Sequence, residues 1–332
     1  MTAAPRPDDL GSLVRDLAVG SWALAALACA DETNLLDALA ERRSVADLAA
    51  RTGLPPAVAG GIVSVLLSLG LVRPEQDAFV AEPLLAAALT TGARSVLRAE
   101  LRSNVLQSTS LVTDAREGGV HAGWSHLDPL VLHAQGRRSA FLAGMWADRL
   151  FPELDGLLGR LEGRPASFLD VGVGVATLTI GLCLRFPLLR AVGLDPLAGA
   201  LHEAHANVAS HALEDRVDLR PGRVEDLDDR DAYDLVHLPA MFLAPATLDA
   251  GLSRVLTALR PGGWVLVQTL SRRGLPLSSA VAGLVCALWG GESRDAGPLG
   301  RSLTEAGFEP VLSFTATSGW PVDHVAGRRP DP

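Results

Sequence analysis

Ser167-Phe168-Leu169-Asp170-Val171-Gly172-Val173-Gly174-Val175-Ala176-Thr177 decides how this chain is read. The stretch opens as an apolar run of strand type, passes through Asp-x-Gly-x-Gly-x-Ala, and turns helical through Leu178-Thr179-Ile180-Gly181-Leu182. A glycine-rich turn between a buried strand and a helix lets the backbone approach a ligand where a side chain would clash. A second apolar strand, Arg190 to Asp195, ends in a carboxylate, where nucleotide-binding α/β sheets hold the two ribose hydroxyls. A dinucleotide fingerprint would run Gly-x-Gly-x-x-Gly and aim its glycines at a pyrophosphate. Here Asp170 stands just before the first glycine, which repels a pyrophosphate and suits a ligand carrying an ammonium group and a ribose. A plain tight turn with a surface Asp is the bland alternative.

Working outward, strand-type runs alternate with helical ones. Arg216 to Arg220, Tyr233 to Leu238 and Trp264 to Leu270 are three further strands, each pair separated by a helix, which predicts βαβ units and a parallel sheet. Phe308 to Phe314 and Val322 to Ala326 are two β-type runs suited to a closing antiparallel pair. The fold class expected is an α/β, Rossmann-like, seven-stranded domain behind a mainly α N-terminal domain.

Before this lies a different texture. Leu10 to Ala40 is helical and strongly apolar, with Leu13, Leu17, Trp22, Leu24, Leu27, Leu35, Leu36 and Leu39, which suggests burial against a partner chain. Packing on the chain's own second domain is the alternative. Ser44-Val45-Ala46-Asp47 predicts a capping box opening a helix that ends at Gly53. Pro55-Pro56 starts another, with Val58, Ile62, Val65, Leu66 and Leu69 on one stripe and Gly70 at its end. Leu71-Val72 and Phe79 to Ala81 make a small wing. A winged helix often reads DNA, yet Ala57 to Gly70 carries no cation to meet phosphate. Glu82 to Leu161 is helical, looser from Gly118 to His126. Three domains are expected: 1–98, linking helices 99–160, and 161–332.

With 332 residues and 48% apolar residues the chain can bury two cores, and its net charge of −9 opposes a nucleic-acid or anionic-membrane footprint. Lysine is absent; every cation is Arg or His. Cys29, Cys183 and Cys286 are widely spaced in apolar contexts and read as buried thiols, with no metal site, in a reducing compartment. No signal peptide is evident and no apolar run is expected to span a bilayer, so a soluble cytoplasmic protein is expected.

These landmarks together resemble, over nearly the whole chain, the small-molecule O-methyltransferases of bacterial secondary metabolism, which join a winged-helix dimerisation domain to a class I S-adenosylmethionine domain. Asp170 to Ala176 looks like their motif I. Phe141 to Met145 is similar to their Phe-x-x-x-Met segment, Leu259 to Gly263 to the turn before the fifth strand, and Gly290-Gly291-Glu292-Ser293-Arg294 with Ala306-Gly307-Phe308 to two later landmarks. The resemblance implies a homodimer and S-adenosylmethionine as cofactor. It places Asp170, Gly172 and Gly174 on the methionine part and Asp195 on the ribose, with Pro196 and Leu238 nearby. Arg149, four residues after Met145, is placed by helical spacing to pair with the methionine carboxylate, or is a surface arginine. Met145, Trp146, Met241, Phe242 and Trp289 are candidates to line an apolar, flat acceptor site, or are ordinary core.

Two departures stand out. The family's third strand ends Gly-Asp, whereas this chain has Gly222-Arg223, so Glu225, Asp226 or backbone groups must read the adenine amino group. The family's general-base His, followed by Asp, falls here on Leu243 and Ala244. Three readings remain: an acceptor needing little deprotonation, a base from His126, His133 or His237, or a cofactor-binding relative doing other chemistry, such as hydroxylation, decarboxylation or pericyclic catalysis. A cofactor-sensing regulator using the winged helix is a non-enzymatic fourth.

Overall fold

The computed structural model describes residues 7–90, 93–124, 128–273, 276–315 and 322–331. The chain divides into two compact units, Met1–Glu117 and Gly118–Pro332. The division falls inside the 99–160 stretch read as linking helices.

The first unit runs α1 (Pro7–Glu32), α2 (Leu35–Ala38), α3 (Val45–Thr52), α4 (Pro56–Ser68), β1 (Val72–Glu75), β2 (Ala78–Ala81), α5 (Pro83–Thr90) and α6 (Ala93–Glu117). The capping box forms as the sequence dictates. Ser44 Oγ accepts from the Asp47 N–H, the Asp47 carboxylate accepts from the Ser44 N–H, and Gly53 ends the helix at φ 70°. Leu35, Leu36, Leu48, Ile62, Val63, Leu66 and Leu85 form its core. The buried stripe of α4 is Ala59, Ile62, Val63 and Leu66, while Val58 and Leu69 face out, a rotation of the expected face. Asp31, buried at the end of α1, is held by Arg94 and by Arg98 Nε at 2.8 Å, both from α6. One expectation fails outright: the segment Asp9–Glu32 of α1 is long and apolar enough, by length and composition, to cross a membrane. Arg15 and Asp16 interrupt it, which is why the sequence does not read as a span.

The second unit begins with α7 (Pro129–Met145), a π-helical turn (Trp146–Leu150), a 3-10 turn (Phe151–Glu153) and α8 (Leu157–Gly163). The alternation follows: β3 (Ala166–Val171), α9 (Thr177–Arg185), β4 (Leu189–Asp195), α10 (Ala198–Ser210), β5 (Val217–Pro221), β6 (Tyr233–Pro239), α11 (Pro245–Ala258) and β7 (Leu259–Leu270). α12 (Pro276–Trp289), α13 (Ala296–Glu305), β8 (Val311–Thr315) and β9 (Val322–Arg328) complete the chain. The seven strands lie in the order β5-β4-β3-β6-β7-β9-β8, parallel through β7, with β9 antiparallel to both β7 and β8. This is the Rossmann-like methyltransferase arrangement.

Period-2 alternation sends Phe168, Leu235, Trp264 and Leu266 into one core with α7 and α9, and Leu169, Val236, Val265 and Val267 into another with α11 and α13. At the N-terminal ends of the strands Asp234 is wholly buried and paired with Arg160, Arg164 and Arg260. A buried anion persists only when so paired.

Candidate functional site

The loop after β3 leaves the sheet through Gly172 at φ 67° and Gly174 at φ 56°, conformations that side chains resist. Ala176 takes the same left-handed turn at φ 62° as it enters α9. The loop is tied down on its far side. Gly172 N–H and Val173 N–H both donate to Leu194 O, at 2.7 and 3.1 Å. Asp195, at the end of β4 and 6% exposed, takes Gly174 N–H on Oδ2 and Leu197 N–H on Oδ1, each at 2.9 Å. Burial pushes its carboxyl above the ordinary range; the two N–H donors oppose that rise, and the Asp170 charge adds to it. Asp195 thus couples the glycine loop to the start of α10, and each oxygen retains a lone pair for a hydroxyl donor.

Asp170 is 2% exposed, its Oδ2 accepting from Thr179 Oγ1 at 2.6 Å and its Oδ1 from His237 Nδ1 at 2.8 Å. Glu225, in the 3-10 turn Val224–Asp226 after β5, carries a buried Oε2 with no partner. Asp226 beside it is exposed, as is Pro196, whereas Leu238 is buried behind the site. Leu132 of α7 packs with Val175 of the loop and Ala200 of α10, and Trp124 and Leu197 lie against them. A nucleoside-sized ligand with an ammonium group fits these acceptors. Asp195 offers lone pairs to a diol, Glu225 an orphaned acceptor to an amino group, and the glycine backbone room for close approach.

At the end of β6 a second cluster forms. Phe242 and Trp289 stack with ring centroids 4.6 Å apart, and Trp124 meets both edge-on at 5.5 and 6.2 Å. Met241 packs with them. The backbone is drawn tight here, for a Cβ on Gly291 would lie 2.2 Å from Met241 O. That explains why the segment reads Gly-Gly. Met145 is half-buried on the sheet core. Trp146 is fully buried, its indole N–H donating to His324 Nε2 at 3.1 Å. Arg149, in the π-helical turn, is exposed. Of the three histidine candidates, His133 bonds Glu203 at 2.9 Å, His237 lies beneath Asp170, and His126 falls outside the described residues. Leu243 and Ala244 lead into α11, where the family's imidazole would stand.

Sequence reasoning missed Trp124, Thr179, Leu197 and His324. Thr179 and Leu197 flank the motif residues and were within reach of spacing; Trp124 and His324 are brought in only by packing.

Residues 168–263 match the model of a methyltransferase domain, and residues 33–76 that of an IclR helix-turn-helix domain. The chain is 32% identical over 119 residues to the ubiquinone biosynthesis O-methyltransferase of Bradyrhizobium sp. (strain ORS 278), covering 35% of this chain and 44% of that protein. It therefore spans less than half the length of that relative. It is 28% identical over 327 residues to the 3-amino-4-hydroxybenzoate 4-O-methyltransferase of Streptomyces cremeus, covering 91% of this chain and 86% of that one. Among solved structures, the S-adenosylmethionine-dependent methyltransferase SibL in its apo form superposes with a TM-score of 0.67 at 24% identity, covering 97% of this chain and 99% of that one.

Proposed function

We propose that the chain is an S-adenosylmethionine-dependent methyltransferase similar to the small-molecule O-methyltransferases with a winged-helix N-terminal domain, and that it methylates a small, flat natural-product acceptor. The observation that carries this is Asp195, buried yet locked by Gly174 N–H and Leu197 N–H at the rim of the glycine loop. Bound there, S-adenosylmethionine supplies an electrophilic methyl group on a sulfonium. The residues of the chain do the rest. Asp170, Gly172 and Gly174 receive the amino-acid end, Asp195 the ribose diol, and the orphaned Glu225 Oε2 the adenine amino group.

Trp124, Met241, Phe242 and Trp289 bound the acceptor and exclude water. The Streptomyces relative, which by its name methylates a hydroxyl of an aminohydroxybenzoate, supports a small aromatic hydroxyl compound as the acceptor class. With Leu243 and Ala244 where the family's imidazole would stand, and His237 buried beneath Asp170, the favoured acceptor is one that reaches the methyl group already nucleophilic. An acidic hydroxyl comes first, an amine or activated carbon next, and alignment supplies most of the rate. The exposed apolar face of α1 supports a homodimer through the N-terminal unit, and the three free cysteines support a cytoplasmic setting. The face of α4 left exposed carries Val58, Gly61, Ser64 and Leu67 and no cation, which favours a packing module over a DNA reader.

Calorimetric titration with S-adenosylmethionine and S-adenosylhomocysteine tests the reading. The expected result is micromolar binding that Asp195→Ala weakens by about a hundredfold, the worth of charge-assisted bonds to two hydroxyls. A folded wild-type protein that binds neither would end it.

A further inference from the structure

Under the glycine loop, buried polar side chains cross the sheet in a way packing alone does not need. Asp170 on β3 and His237 on β6 are register partners, and the imidazole gives its Nδ1–H to Asp170 Oδ1 at 2.8 Å. That bond to a carboxylate assigns the proton to Nδ1. His237 is 5% exposed, and its Nε2 is buried with no partner. Trp146 stands edge-on over the ring at 5.1 Å, with its own N–H committed to His324. The neighbours of His237 along β6 are Leu235, Val236 and Leu238, all buried. A leucine at 237 would fill the same space without stripping two nitrogens of water, one of which finds no replacement bond. The one thing histidine supplies that leucine lacks is the N–H on Asp170.

We infer that His237 is a positioning residue for the amino-acid end of the cofactor, an inference that rests on the cofactor reading above. Thr179 fixes one oxygen of Asp170 and His237 the other, so the carboxylate cannot rotate. Its charge then stands at a set place at the foot of the loop, where a bound ammonium needs it, and each oxygen still has a free lone pair. Without His237, Asp170 Oδ1 is left buried and unpaired, and the carboxylate turns to find a donor. The nucleoside half of the site, built on Asp195, Leu197 and Glu225, shares none of these bonds. The role is therefore separable by ligand.

The experiment compares two ligands by calorimetry on the full-length chain. S-adenosylhomocysteine carries the amino-acid end; 5′-methylthioadenosine has the same nucleoside and a thioether but lacks it. Three variants are titrated. In His237→Asn the amide nitrogen reaches where Nδ1 stood, in His237→Gln it reaches the place of Nε2, and His237→Leu has no donor. Leu and Gln are expected to weaken S-adenosylhomocysteine by about tenfold, with 5′-methylthioadenosine kept within about twofold and Asn close to wild type for both, the scale of one hydrogen bond to a charged group. Equal weakening of both ligands, or no change in either, overturns the inference. If the Leu variant does not fold, the Asn and Gln pair decides alone. A wild-type protein that binds neither ligand removes the cofactor reading and this inference with it, whereas unselective loss in the variants removes only the inference.

Discussion

The two units hide their polar groups very differently. Among the described residues, the buried polar or charged side chains of the N-terminal unit are Asp31 and Ser103; the second unit holds Asp170, Thr179, Asp195, Asp234, His237, Thr269, Ser271, Ser293, Asp323 and His324. The contrast runs the other way outside. Leu10, Leu13, Val14, Leu17, Val19 and Trp22 of α1 are all exposed, Trp22 by 77%. A polar interior has to be satisfied largely bond by bond. An apolar exterior needs only something to lie against. The helix-turn-helix unit thus has the architecture of a DNA reader with an exposed apolar helix beside it, the feature on which the proposed dimer rests. The loop after β3 has the left-handed glycines and buried carboxylates on which the proposed cofactor site rests.

If the second unit is tightly constrained at its site, the largest effect comes from crowding its backbone. Gly291→Ala would put a methyl group 2.2 Å from Met241 O, against backbone that cannot swing aside as a side chain can. The expected loss is about 3 kcal/mol of unfolding free energy, at the upper end for overpacking, read from urea denaturation. A loss under about 0.5 kcal/mol, the size of an ordinary surface change, would break the claim that the Gly-Gly pair exists to let strand end and helix end meet.

The polar interior makes a second, smaller prediction. Burial, with the neighbouring His237 imidazole acting in the same direction, depresses the His324 imidazole from 6.5 to about 3. Here the folded state resists the proton, so the sign is opposite to that of a histidine gaining an acid partner. Above pH 6.5 neither state binds it and nothing is lost. Below pH 6.5 the unfolded chain protonates and the folded one does not, so stability falls until about pH 3. Between pH 7 and pH 5 the loss is about 2 kcal/mol, at about 1.4 kcal/mol per pH unit once titration is under way. His324→Gln, whose side-chain oxygen can still accept from Trp146, should show a flatter profile over that range. Identical slopes in the two proteins would show that His324 is not held neutral.

How much of this was legible beforehand follows from the same contrast. Local chemistry carries far: the capping box at Ser44, the left-handed glycines at 172 and 174, and the strand-terminal Asp195 all follow from a few adjacent residues. The strand alternation gave the sheet class, because each βαβ unit is written within one continuous stretch. The partners of Asp170 were beyond reach. His237 is 67 residues away, and only the placing of β6 beside β3 makes it a neighbour. His324 is more remote, since its place depends on β9 returning antiparallel beside β7. The α4 stripe shows a subtler limit. Its residues are apolar almost all round, so periodicity could not say which face turns inward.

The smallest effect on stability should come from the most conspicuous surface. Replacing Leu17 or Trp22 of α1 by Glu removes no buried contact within the chain, because both side chains point outward in the isolated protomer. Unfolding free energy should therefore move by no more than about 0.5 kcal/mol when measured at concentrations where the chain is monomeric. Association should respond far more strongly. A stretch of exposed apolar side chains this long is costly to leave in water, and in the proposed dimer a second copy of the same helix would cover it by symmetry. Analytical ultracentrifugation of wild-type protein at micromolar concentration should give a dimer, and the double variant Leu17→Glu, Trp22→Glu a monomer. A wild-type monomer at that concentration would detach the N-terminal unit from any assembly role and leave its apolar helix in need of another partner.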